Sequence, residues 1–267
     1  MNITIIGCGW LGQQLGTSLI ENGHTVRGNF RSAKTEKRLM RIGIKPFRWE
    51  VSKSASDKIN QDIIDATDIL IICLPPSSVE DYPLVLQNIV LQFEDNTRVI
   101  FTSSTSVYPM RDGVFDEMYE FNEQEKKSRL FRAEKGLTGL LNDRLTILRL
   151  GGLIGPNRHP VKYVSGKTYA DNGLTPINLI DSRDICRLVN FLLQNEDFGR
   201  LFNVVCPSDK SKRSYYTNLA DELALQSPEY GMNKSIQRIV KGDYITNSLG
   251  FEYKFDVQKF DTNLLFV

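Results

Sequence analysis

Apolar residues in this chain fall into short runs that alternate with turn residues and with stretches of helical period. Ile3 to Ile6 is β-branched throughout, which suits a short buried strand. After Gly7-Cys8-Gly9-Trp10-Leu11-Gly12, the residues Leu11, Leu15, Leu19 and Ile20 recur on one helical face. That helix closes at Asn22-Gly23, where glycine can turn left-handed. His24 to Phe30 reads as a second strand ending at Arg31-Ser32, and Ile44 to Val51 as a third, with Pro46 marking an edge or a strand start. Asp68 to Leu74 is nearly all apolar, as expected of a parallel strand covered on both faces. It stops at Pro75-Pro76-Ser77, and a helix follows around Val79 to Phe93. Arg98 to Phe101 opens a fifth strand that runs into Thr102-Ser103-Ser104-Thr105-Ser106-Val107-Tyr108. Leu145 to Leu150 is a sixth, followed by a glycine-rich turn to Pro156. Beyond it the rhythm loosens into a polar loop, Asn157 to Thr175. Ile177 to Ile180 with a helix over Ser182 to Leu193, a strand at Leu201 to Val205 and a helix at Ser214 to Leu225 complete the pattern.

Strands alternating with helices predict an α/β fold, a doubly wound parallel sheet of the Rossmann type with a small C-terminal substrate lobe. Residues 1–156 would form the nucleotide-binding part. Residues 157–267 would supply the remaining βα units and the lobe, within one continuous structural domain.

A strand, a G-x-G-x-x-G turn and a helix are the dinucleotide fingerprint in its required context. Gly7 would permit the tight turn, Gly9 would let a pyrophosphate approach the backbone, and Gly12 would let helix and strand pack closely. Trp10 and Leu11 lie between these glycines, at a helix N-terminus whose free N–H groups favour phosphate. In NAD-specific Rossmann proteins an acid near the end of the second strand takes the ribose hydroxyls. Asn29 and Phe30 stand there instead, and Arg31 follows with Ser32 and Lys34 beside it. A guanidinium suits a 2′-phosphate, so NADP is the expected cofactor ahead of NAD. The alternative is that Arg31, Lys34, Lys37, Arg38 and Arg41 form a solvated helix face. Ligands of such sheets lie beyond the carboxyl ends of the strands, which places Leu74, Pro75 and Ser103 at the nicotinamide end. The hydroxyl-rich run from Thr102 sits where chemistry usually sits, a polar turn capping the strand being the alternative.

The chain has 267 residues and a net charge of +1, which gives no reason to expect nucleic acid or a membrane surface as partner. Its 4 cysteines are far apart with no C-x-x-C pair, pointing to a reduced cytoplasmic protein without a zinc site. No apolar stretch approaches the roughly 18 residues of a membrane span. The N-terminus runs straight into a strand, leaving no room for a signal peptide.

Taken together, these segments resemble the extended short-chain dehydrogenase/reductase family, the NAD-dependent epimerase/dehydratase proteins, almost end to end. Beyond the glycine turn, the resemblance rests on Phe101 to Ser104 leading to Val107-Tyr108 and on Leu148-Arg149-Leu150 leading to Gly155-Pro156. Asn178 to Asp184 and Phe202-Asn203-Val204 add to it. The shortened glycine motif with Trp10-Leu11 inside it looks like an atypical bacterial branch, whose members are mostly described only as NAD(P)-binding. The resemblance implies that Ser104 hydrogen-bonds the reacting substrate oxygen. It also implies a Tyr acid/base from a Y-x-x-x-K motif, whose Lys lowers the Tyr pKa and holds the nicotinamide ribose.

That pair is missing. The helix near Gln124 to Leu137 puts Lys126 at the Tyr position and Leu130 at the Lys position. A two-residue shift gives Ser128 and Arg132. Tyr163 with Lys167 and Tyr230 with Lys234 match the string outside its context. Tyr108, Tyr163 or Lys126 are the substitutes for the acid/base, against plain packing or solvation. The family shapes its substrate pocket with the loop that here holds Arg158, His159, Lys162 and Lys167, and Thr105 and Ser106 are further candidates for contact with substrate. The loop's positive charge points to an anionic substrate, such as a phosphorylated or nucleotide-linked compound; simple exposure is the alternative. Two functions fit: an NAD(P)-dependent oxidoreductase or epimerase-like enzyme acting on a small hydroxylated molecule, or a non-catalytic NAD(P)-binding redox sensor. Dimers paired through helices are common in the resembling family, which makes a homodimer one option while the sequence leaves the oligomeric state open.

Overall fold

Seven strands form one parallel sheet in a computed structural model that describes residues 1–50 and 58–266. They are β1 (Asn2–Ile6), β2 (Thr25–Phe30), β3 (Lys45–Arg48), β4 (Ile69–Ile72), β5 (Arg98–Ser104), β6 (Leu145–Leu150) and β7 (Leu201–Val204). The expected third strand reached Val51, which lies outside the described residues. Their order is β7-β6-β5-β4-β1-β2-β3. Ile3 is in register with Val26 on one side and Ile69 on the other. Chain order therefore reverses between β1 and β4, which is the topological switch point where open α/β sheets bind ligands. The apolar composition of β1 and β4 follows from their central place: Ile3, Ile5, Ile6 and Ile69 to Ile72 are all buried. Each such side chain contributes about 1.5–3 kcal/mol over exposure.

Helices α1 (Trp10–Glu21), α2 (Ala33–Arg41), α3 (Tyr82–Val90), α4 (Arg129–Leu141) and α5 (Ser182–Gln194) flank the sheet. The stripe seen in the sequence is the buried face of α1, with Leu11, Leu15 and Leu19 against the strands. Gly16 brings this helix in closely, since a methyl group there would collide with Ile44 Cδ1. Asn190 of α5 donates to Ser18 of α1 at 3.0 Å, and α4 packs along α3. The doubly wound α/β fold expected from the pattern is the fold of the chain. Among the described residues, no helix is long and apolar enough to cross a membrane.

The chain divides into two compact units. One comprises residues 1–107, 121–149 and 186–202; the other comprises residues 108–120, 150–185 and 203–267. Within the second, short strands pair in parallel: Gly113–Phe115 with Arg238–Val240, Gly152–Ile154 with Leu179–Asp181, and Thr168–Asp171 with Glu229–Asn233. Side chains complete these ladders. Asn178 Oδ1 accepts from Val240 N at 2.8 Å while its Nδ2 donates to Arg238 O at 3.0 Å. The polar stretch from Asn157 to Thr175 is thus not plain loop, because it also contains a helical turn at Val161–Val164.

Candidate functional site

The three glycines after β1 have three different reasons to be glycine. Gly7 has φ +97°, and a Cβ there would lie 2.6 Å from the Cys73 carbonyl carbon. A Cβ on Gly12 would lie 2.6 Å from Gly7 O. Both are required by the chain's own packing. Gly9 has φ −80°, and its Cβ would meet nothing nearer than Gly7 O at 4.0 Å. Its open side borders a cavity of about 550 Å³.

That cavity lies beyond the carboxyl ends of four neighbouring strands. Gly7 to Gly9 follow β1, Phe30 to Ser32 end β2, Glu50 follows β3, and Cys73 to Pro75 follow β4. Thr35 joins from α2, whose N-cap is Ser32: the Ser32 hydroxyl accepts from Thr35 N at 3.3 Å and lies 3.0 Å from the Thr35 hydroxyl. Arg31, Ser32 and Thr35 therefore converge on the positive end of the α2 dipole. Trp10 is half-buried and Leu11 is buried, and neither belongs to the lining of this cavity. Leu74 is also buried, and its carbonyl accepts from the Tyr82 hydroxyl at 2.7 Å.

Asn29 holds this rim together. Its Oδ1 accepts from Gly7 N at 2.7 Å and its Nδ2 donates to Trp49 O at 3.0 Å. The residue that stands in for the expected acid is buried, and it ties the glycine turn to the end of β3. Two thiols form apolar wall. Burial pushes Cys73 up to about 12 and raises Cys8 as well, so both stay protonated.

The hydroxyl-rich run separates by the two-residue period of a strand. Ser103 points inward and donates to Glu134 Oε1 at 2.5 Å. Glu134, itself buried on α4, is gripped by Arg149: Nε lies 3.2 Å from Oε1 and 3.1 Å from Oε2, and Nη2 lies 2.6 Å from Oε2. Phe121 covers the guanidinium at 5.5 Å. Ser104 is half-buried; its Oγ accepts from Ser106 N at 3.1 Å, which leaves its own O–H free to donate. Thr105 is buried and Ser106 exposed on the turn that follows.

Helix α4 starts later than the spacing suggests. Ser128 is its N-cap, accepting from Phe131 N at 3.1 Å. Lys126 precedes the helix on a 3₁₀ turn and pairs with Glu123 at 2.7 Å in solvent. Leu130 is buried and Arg132 exposed.

In the second unit, Tyr108 is buried with its hydroxyl between Asp116 O at 2.7 Å and Asn203 Oδ1 at 2.9 Å. Phe115 and Tyr119 pack against its ring. Tyr163 is exposed. His159, weighed as a substrate contact, is buried. Its Nδ1 accepts from Val161 N at 3.1 Å, so the proton sits on Nε2 and is donated to Tyr215 Oη at 2.9 Å. Burial lowers its pKa to about 3, so the ring is neutral. Lys162 donates to Leu265 O at 3.0 Å, whereas Arg158 and Lys167 stand exposed.

A family model described as "NADP oxidoreductase coenzyme F420-dependent" matches residues 2–92, the stretch holding the glycine turn, Arg31 and Pro75. Protein YeeZ of Escherichia coli K12 is 31% identical over 263 residues, covering 95% of this chain and 96% of YeeZ. The chain belongs to the YeeZ family. Among solved structures, a conserved protein of unknown function from Silicibacter pomeroyi superposes on this YeeZ-family chain with a TM-score of 0.77 at 20% identity, covering 97% and 95% of the two chains. The UDP-glucuronic acid 4-epimerase of Bacillus cereus, solved with UDP-glucuronic acid and NAD, gives 0.75 at 15% identity over 97% and 96%. At these identities the likeness is one of fold.

Proposed function

We propose that this YeeZ-family chain is an NAD(P)-dependent oxidoreductase or epimerase-like enzyme of the extended short-chain dehydrogenase/reductase type, preferring NADP(H). The observation that carries the reading is Gly9: among the described residues nothing comes nearer than 4.0 Å to a Cβ there, yet its bare face borders the cavity at the switch point. A dinucleotide pyrophosphate fits that face, within reach of the α1 N-terminus. Gly7 and Gly12 set the turn. Arg31 and the N-terminal hydroxyls of α2 take the 2′-phosphate, and Leu74 and Pro75 flank the nicotinamide end. The matched NADP oxidoreductase segment and the NAD held by a structural neighbour support the same assignment.

When bound, the nicotinamide supplies hydride exchange with a carbinol carbon. Ser104 donates its free O–H to the substrate oxygen. Ser103 holds α4 through Glu134. The substrate is a small hydroxylated molecule, and the exposed Arg158 and Lys167 favour an anionic one.

One observation favours a second reading, a non-catalytic sensor of nicotinamide redox state. On α4, the face the family uses for its Tyr and Lys carries buried Leu130 and the paired Glu134, with Lys126 held in solvent. Titration of nucleotide-free protein with NADP+, NADPH, NAD+ and NADH separates the two. Comparable affinity for oxidised and reduced forms supports the enzyme. A tenfold preference for one redox state, about 1.4 kcal/mol, supports the sensor. Absence of any binding refutes both.

A further inference from the structure

We infer that Glu50 is a specificity-determining residue that opposes Arg31 and keeps the preference between NADP(H) and NAD(H) small. The inference rests on the nucleotide assignment just given. Strands β2 and β3 run side by side, with Phe30 opposite Arg48 and Trp49 N donating to Phe30 O at 3.4 Å. Arg31 and Glu50 therefore leave adjacent strand ends, and both line the same cavity. Neither forms an ion pair with another described residue. Asn29 fixes where Glu50 starts, because its amide holds the carbonyl of Trp49, the preceding residue, while its oxygen holds Gly7 N. The backbone from which the carboxylate projects is thus held at the rim.

The two groups read opposite chemistry. A guanidinium only donates and a carboxylate only accepts. Adenosine with a free 2′-hydroxyl offers O–H donors, which suit Glu50. Adenosine carrying a 2′-phosphate offers acceptor oxygens and negative charge, which suit Arg31 and the α2 N-terminus but are repelled by Glu50. The acid that NAD-specific relatives of this fold place on the second strand would come here from the end of the third, lining one cavity with an arginine. Discrimination is the difference between the two effects, and one charge change shifts it.

The experiment measures dissociation constants for NADPH and NADH with the full chain, as wild type, Glu50→Gln and Arg31→Ala. Removing a carboxylate charge a few ångströms from a solvated phosphate shifts binding on the order of fivefold. Glu50→Gln is expected to raise the NADPH:NADH affinity ratio by about that factor, and Arg31→Ala to lower it. The Glu50→Gln shift should shrink as salt rises from about 20 to about 300 mM, because the Debye length falls from about 20 Å to about 6 Å. Glu50 is exposed, so the variant should melt with wild type. A ratio unchanged within about twofold in Glu50→Gln, alongside tight wild-type binding, overturns the role of Glu50 and leaves the nucleotide site standing. Wild type binding neither nucleotide overturns the site itself and the inference with it.

Discussion

Replacing the three glycines one at a time should separate structural need from ligand need. An alanine at Gly12 puts a methyl group 2.6 Å from Gly7 O, and one at Gly7 meets the Cys73 carbonyl at the same distance with φ at +97°. Neither clash involves a flexible side-chain end, so backbone must shift, at about 1–3 kcal/mol for overpacking and more where φ is positive. Gly9→Val adds a Cβ that meets no described atom nearer than Gly7 O at 4.0 Å. Its cost is confined to a poorer N-cap, about 1 kcal/mol. In a chain of this size each kcal/mol moves the melting temperature by about 2–4 °C. Gly9→Val is therefore expected to melt within about 4 °C of wild type while losing NADPH affinity by about thirtyfold or more. Gly12→Ala should lose stability first, by twice that shift or more. Thermal melts with fluorescence titration of NADPH decide the matter. Gly9→Val that binds NADPH like wild type, or that unfolds as readily as Gly12→Ala, would refute the reasoning.

Other expectations follow from single groups. Glu134→Ala leaves the Arg149 guanidinium buried without its carboxylate, which should cost about 3–5 kcal/mol in urea unfolding, whereas Ser103→Ala should cost about 1–2. A Glu134→Ala loss below about 1 kcal/mol would show that the pair does not anchor α4. His159 has a pKa of about 3 in the fold against 6.5 unfolded, so the unfolded state binds its proton first as pH falls. Stability from this group is complete above pH 6.5 and is lost progressively down to about 3, on the order of 5 kcal/mol in all. His159→Phe should flatten that part of the stability profile; an equally steep acid slope would assign it elsewhere. Ser104→Ala should lower turnover of an authentic substrate about tenfold or more, with nucleotide affinity unchanged, and an unchanged rate would remove Ser104 from the mechanism.

The parts legible in the sequence are those with a local signature. Apolar runs marked the sheet strands because parallel strands covered on both faces need them, and the glycine turn was readable from its place between strand and helix. Arg31 was visible as a charge where an acid belongs. What stayed hidden depends on partners distant in sequence. Asn29 reads as a missing acid until its amide is seen reaching Gly7 and Trp49. Glu50 gives no signal in a single strand end, because its meaning comes from the neighbouring strand. Ser103 and Ser104 could have been told apart by strand alternation, had β5 been extended to Ser104 instead of stopping near Phe101. The pairing of Gly113–Phe115 with Arg238–Val240 joins segments of 3 residues each, too short for a periodic pattern. His159 sat in a basic loop, and only its buried partner Tyr215 shows that the ring belongs to the packing.

The path of the chain limits how the protein can be divided. A fragment ending at residue 156 contains the glycine turn and six strands of the seven-stranded sheet, yet it lacks β7 and α5. Without β7, the bond from Ile147 N to Arg200 O at 2.9 Å disappears, and the wholly buried β6 becomes an open edge. Without α5, Ser18 of α1 loses Asn190. An unpaired apolar edge recruits other chains, so a truncated nucleotide-binding half should aggregate. The module cannot be transplanted by simple fusion, and a working graft needs residues 182–204 returned through a circular permutation or an engineered bypass.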